Sequence, residues 1–119
     1  MPAGYVIAES IRPGSQLESN AFTLNRIKRY KVDNPTDDQP SAWTMIHFEF
    51  PEDQAESVAN ALADVLDSPG WYTNFDTPDD TVVIFPGRVF RYPRGDQAAR
   101  AEAEAFAATL GIPASQLDW

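Results

Sequence analysis

A chain of 119 residues with 18 Asp and Glu, 9 Lys and Arg and no Cys has the size of one domain. The missing cysteine excludes disulfides, thiolate chemistry and Cys-ligated metal sites. A formal net charge of −9 argues against nucleic acid and anionic membrane as partners, because binding phosphate draws on a basic surface.

The apolar supply fits a folded core: 43% hydrophobic residues, including seven Phe, four Tyr and three Trp, which a disordered acidic tail lacks. No apolar run approaches the roughly 20 residues of a membrane span, and no basic start leads into a signal-like stretch, so the cytoplasm is the expected compartment. Residues 5–11 alternate Tyr5, Ile7, Glu9 and Ile11 against Val6, Ala8 and Ser10, which predicts a strand ended by Pro13 and Gly14. Residues 22–32 form a second extended run. With Arg26, Lys28, Arg29 and Lys31 in it, neither face is continuously apolar, and an edge strand is expected. Residues 33–41, with two Pro and three Asp, predict an exposed loop.

Residues 43–50 (WTMIHFEF) predict a strand with Thr44, Ile46, Phe48 and Phe50 on one face and Trp43, Met45, His47 and Glu49 on the other. Pro51, followed by Glu52 and Asp53, suits the first turn of a helix. Ala55, Val58, Ala59, Leu62, Val65 and Leu66 then supply its apolar stripe. Residues 71–75 and 81–85 flank a turn rich in Asp and predict a hairpin, with Val82, Val83, Ile84 and Phe85 buried on both faces. Pro86-Gly87 is either a turn or a bulge before another extended run, residues 88–92. Asp96 is the expected N-cap of a second helix, residues 97–110, with Gly111 as its stop and Ala99, Ala103, Phe106, Ala107 and Leu110 as its buried stripe. The closing segment carries Ile112, Leu117 and Trp119, enough apolar surface to dock on the body.

Together these elements predict a single α+β domain, a two-layer sandwich whose mostly antiparallel sheet bears two helices on one face. The order from residue 43 to 110 is that of a ferredoxin-like split β-α-β unit lacking its last strand, which an N-terminal strand could supply. The runs FPGRVFRYPRGD, residues 85–96, and LGIPASQLDW, residues 110–119, resemble a set of small uncharacterised bacterial proteins. That resemblance implies a complete small protein and brings no activity, ligand or catalytic residue with it.

Seven of the nine cations, Arg26, Lys28, Arg29, Lys31, Arg88, Arg91 and Arg94, fall in or beside predicted strands, while the helices are mostly acidic. A sheet face free of helices would present Trp43, Met45 and His47 beside Arg88, Phe90 and Tyr92, with Arg26 and Lys28 from an edge. Cationic and aromatic groups together suit an anionic, partly apolar ligand, which makes Arg26, Lys28, Trp43, His47, Arg88 and Tyr92 the candidate binding residues. The structural alternative is that Glu9 and Glu49 satisfy the cations and that Trp43 and Met45 pack beneath the N-terminal strand or the tail.

His47 is the one histidine, with Glu49 two positions along its strand face, but no nucleophile elbow, phosphate loop or paired-carboxylate pattern accompanies it. No cofactor or metal is expected, and Asp76, Asp79 and Asp80 read as turn residues. The function these features favour is a non-enzymatic binding or regulatory module that meets an unidentified protein or small anionic ligand, as a monomer or homodimer. One alternative is an acidic inhibitor covering a basic partner. Another is a small enzyme on an anionic substrate, with His47 as acid or base and Arg88 or Arg91 as anion clamp.

Overall fold

The computed structural model describes residues 1–18, 20–33, 40–68, 70–117 and 119. Six strands, β1 (Ala3–Ile7), β2 (Thr23–Lys31), β3 (Ala42–Glu49), β4 (Thr73–Asp76), β5 (Asp80–Phe85) and β6 (Arg88–Pro93), form one sheet in the order β2-β3-β1-β4-β5-β6. Every neighbouring pair is antiparallel. Helix α1 (Ala55–Val65) links β3 to β4, and α2 (Gln97–Thr109) follows β6. The fold is therefore α+β with an antiparallel sheet. Its radius of gyration, 13.7 Å, matches the roughly 13.5 Å of a compact chain of this length.

β3, α1 and β4 form a split β-α-β unit, since β3 and β4 both run antiparallel to β1 between them. The N-terminal strand thus joins that unit, but at its centre. β5 and β6 then extend the sheet outward as a meander, so the strand order departs from the ferredoxin-like one. At the second residue of β1, a Cβ on Gly4 would approach the Phe48 ring to 3.3 Å, a tighter contact than side chains usually make. The expected first strand, residues 5–11, stops at Ile7. There the chain makes a 3-10 turn, Ala8–Ser10, in which buried Ser10 donates to the Ile7 carbonyl, and Ile11 bridges Leu66 at the end of α1. The turn aims Glu9 at Thr44, whose N and Oγ1 donate to its carboxylate at 2.5 and 2.8 Å. Of the expected loop over residues 33–41, the segment 34–39 lies outside the described residues.

The position of the helices differs from expectation. Val82 and Ile84 pack with Val58, Ala59 and Leu62 of α1, whereas Val83 and Phe85, alternating with them along β5, pack with Ala103 and Ala107 of α2. The helices therefore cover opposite faces of the sheet. The reason lies in β5: all four of these residues are fully buried, and a strand that is apolar on both faces needs a cover on each. On the α1 face, the segment around Leu17, Ala21 and Phe22 completes the cover, with Phe22 against Phe48 at 4.6 Å. On the other face α2 and the C-terminal segment cover β5 and β6, with Trp119 packed on Tyr72 and Phe85. No helix among the described residues is long and apolar enough to cross a membrane.

Pro86-Gly87 is a turn. Phe85 and Arg88 pair directly, and Gly87 has φ of 72°, as the third residue of a type II turn requires. This turn type matches hairpin twist poorly, but the Gly87 N–H donates to the Ala63 carbonyl at 3.0 Å, which ties the turn to α1.

Candidate functional site

Strand alternation decides which side chains meet. Tyr5 and Ile7 of β1 pair with His47 and Met45 of β3, and Arg26, Lys28 and Tyr30 of β2 pair with His47, Met45 and Trp43. Paired residues project to the same face, so these eight side chains share one face. It is the face that bears α2, at the end of the sheet that α2 does not reach.

There the surface closes into a groove of about 380 Å³. Its floor and walls are Tyr5, Ile7, Tyr30, Trp43, Met45, Trp71 and Tyr72, and Ser115 and Gln116 of the C-terminal segment close one side. Trp43 is fixed from three directions: its Nε1 donates to the Pro40 carbonyl at 3.0 Å, and its ring meets Trp71 edge-on at 5.3 Å and Tyr30 at 6.3 Å. The Tyr72 hydroxyl donates to the Gln116 carbonyl, which holds the tail as a wall. Further along the Tyr72 face of β4, Asn74 Oδ1 is buried with no hydrogen-bond partner among the described residues.

Beside the groove, Arg26 Nη2 lies 3.4 Å from His47 Nε2, and the His47 ring faces Tyr5 at 5.9 Å. A guanidinium only donates, so this contact is a hydrogen bond in the tautomer that carries its proton on Nδ1. Burial holds its pKa below the ordinary 6.5, and the charges of Arg26 and Lys28 lower it further. No carboxylate bonds to His47 among the described residues, Glu49 included.

Neither Arg26 nor Lys28 forms an ion pair among the described residues. Glu9, one acid expected to satisfy the strand cations, is engaged by Thr44. Its burial raises the carboxyl pKa, but the two Thr44 bonds, helped by Arg29, outweigh that and hold it below the ordinary value.

Of the six candidate residues, Arg26, Lys28, Trp43 and His47 share one face of the neighbouring strands β2 and β3, with Trp43 in the groove and Arg26 and His47 in a separate hollow beside Ala3 and Gly4, while Arg88 and Tyr92 are set apart. Four inter-strand steps separate β3 from β6, about 19 Å, too far for His47 and Arg88 to hold one small substrate. Arg88 stacks over Phe90 and Phe106 at 4.6 and 5.5 Å. Tyr92 is buried and accepts from Trp119 Nε1 at 2.8 Å, and burial raises its pKa. The face expected to be bare at Phe90 and Tyr92 is covered by α2 and the C-terminal segment. Arg91 points to the α1 face and pairs with Asp80 at 2.7 Å, on the opposite side of the sheet from His47.

Sequence reasoning missed the larger part of the groove: Tyr5, Tyr30, Trp71 and Tyr72. Period-two alternation places Tyr5 and Tyr30 on strand faces, but Trp71 and Tyr72 stand just ahead of β4, and only the tertiary arrangement makes the four neighbours. Among the described residues no group of three or more His, Asp or Glu could hold a metal ion. Comparison with known proteins gives no family model, curated protein or solved structure that matches this chain.

Proposed function

We propose that the chain is a non-enzymatic binding module that holds an anionic, flat and largely apolar ligand in this groove. The observation that carries the reading is the groove itself, where five aromatic residues line one cleft, and on the same sheet face Lys28, paired with Met45 of the groove, and Arg26, one pair further along, form no ion pair among the described residues. Aromatic walls supply contact area at low entropic cost, and an unpaired cation beside them attracts an anionic group and orients it. Burial, with the charges of Arg26 and Lys28, lowers the pKa of His47 on the same face.

Titration with anilinonaphthalene sulfonate, followed by tryptophan fluorescence and compared with the uncharged anilinonaphthalene, tests the reading. Trp43→Ala should weaken both probes about tenfold, since stacking on one aromatic ring contributes on the order of 1 kcal/mol or more. Lys28→Ser should weaken only the sulfonate. Equal binding of the two probes to the wild type, or full retention in Trp43→Ala, would refute it.

A second reading rests on a different layer. Glu52, Asp53, Glu56 and Asp64 are exposed along α1 and its leading turn, with no ion pair among the described residues. This acidic surface suits the inhibitor-like role toward a basic protein. Glu56→Lys with Asp64→Lys should then slow association and flatten its salt dependence, and leave the sulfonate probe unaffected.

A further inference from the structure

We propose that the free edge of β2 takes up an extended acidic segment of a protein partner as a seventh strand. This site lies along the sheet's edge and is independent of the groove on its face. β2 is nine residues long, stands last in the strand order, and is exposed at every residue from 23 to 29. With Val32 N–H bonded back to Ser41, the N–H and C=O groups of Ile27, Arg29 and Lys31 point away from β3, and no other strand of the described residues pairs with them. The only irregularity, between Leu24 and Arg26, sits near its start, so residues 26–31 present a regular edge.

Edge strands are commonly blunted by charge, and that is the bland reading of the cations here. The opposite edge shows what such blunting looks like when the charges serve the fold. On β6, Arg91 pairs with Asp80 at 2.7 Å and Arg88 stacks on Phe90 and Phe106. On β2, Arg26, Lys28, Arg29 and Lys31 form no ion pair among the described residues; Arg26 bonds to His47 and Arg29 to Thr44, with Glu9 beyond it close enough to feel the Arg29 charge. Four of the nine cations of a chain with net charge −9 thus stand on one strand without an ion pair among the described residues. Ile27 and Leu24, each 60% exposed, add apolar surface that pure blunting would avoid.

Charge selects the occupant. A second copy pairing edge to edge would set four cations against four, whereas a strand bearing Asp or Glu would meet them with charge-assisted contacts on both faces and lay an apolar side chain near Ile27.

A capped peptide alternating Val with Glu, as long as β2, is the probe, with a Val/Lys peptide and an alternately N-methylated Val/Glu peptide as controls. The Val/Glu peptide should bind with salt-sensitive affinity and slow amide exchange at Ile27, Arg29 and Lys31, whose N–H groups point away from β3. The N-methylated peptide, lacking alternate donors, should bind at least about tenfold more weakly. Arg29→Glu with Lys31→Glu, on the side of β2 away from the groove, should cause a similar loss while the naphthalene sulfonate titration and circular dichroism stay unchanged. The proposal is overturned if the Val/Lys peptide binds as well, if N-methylation has no effect, or if exchange slows elsewhere instead. A dimer with β2 amides already protected without peptide would also overturn it, because a second copy would then be the occupant.

Discussion

At the scale of single residues, His47 shows how the sheet sets a side chain's chemistry. Its position beside Arg26, Lys28 and Tyr5 comes from strand register and leaves it part-buried with a lowered pKa. Its folded pKa lies below its unfolded value, so the unfolded chain binds this proton first as the pH falls. The stabilisation is therefore complete above the ordinary value of 6.5 and is lost as the pH drops below it toward the depressed folded pKa. Urea denaturation from neutral to mildly acidic pH should show stability declining through this window, and His47→Gln should flatten the decline. A slope unchanged by the substitution would mean that other groups carry it.

At the scale of elements, the Pro86-Gly87 turn shows a local ambiguity resolved by a tertiary contact. Both a bulge and a type II turn suit the dipeptide, and the bond from Gly87 N–H to the Ala63 carbonyl selects the turn. A Cβ at Gly87 would meet no atom within 4 Å, so the only obstacle to substitution is the backbone, at φ of 72°. Gly87→Ala should therefore cost about 1 kcal/mol, the penalty of a left-handed conformation for a residue with a Cβ, with no loss of packing. A midpoint shift in urea without a change in the slope of the transition checks it. The other punctuation matches the sequence reading: Asp96 accepts from Ala99 N at 3.1 Å as the N-cap of α2, and α1 buries Ala55, Val58, Ala59, Leu62 and Val65.

At the scale of the whole molecule, the protein has two hydrophobic clusters back to back across β5, one built on α1 and one on α2 with the C-terminal segment. Leu62, fully buried, belongs to the first and Trp119, part-exposed, to the second. Leu62→Ala should cost about 2–5 kcal/mol and Trp119→Ala about 1–3 kcal/mol, less because that ring keeps some solvent contact. With the sheet between them, the two costs should add to within about 0.5 kcal/mol in the double variant. A larger coupling would show that the two faces behave as one core. The same arrangement explains the groove: α2 and the tail reach only β4, β5 and β6 on their face, and the aromatic side chains of β1 and β3 line the part left over.

The sequence by itself determined what depends on near neighbours along the chain. Hydrophobic period, caps and turn residues place the two helices and the strands, mark β2 as an edge through its four cations, and bury β5 on both faces. What only the tertiary structure decided is which elements lie side by side. Alternation shows that Tyr5 and Trp43 each lie on a strand face, but it is the insertion of β1 between β3 and β4 that brings them and Tyr72, just ahead of β4, into one groove. The same order parts Arg88 and Tyr92 from Arg26, Lys28, Trp43 and His47, although all six project to one face. A strand's period fixes a side chain's face and carries no information about its neighbours; these follow from burial summed over the whole chain, which places the doubly apolar β5 between two helices.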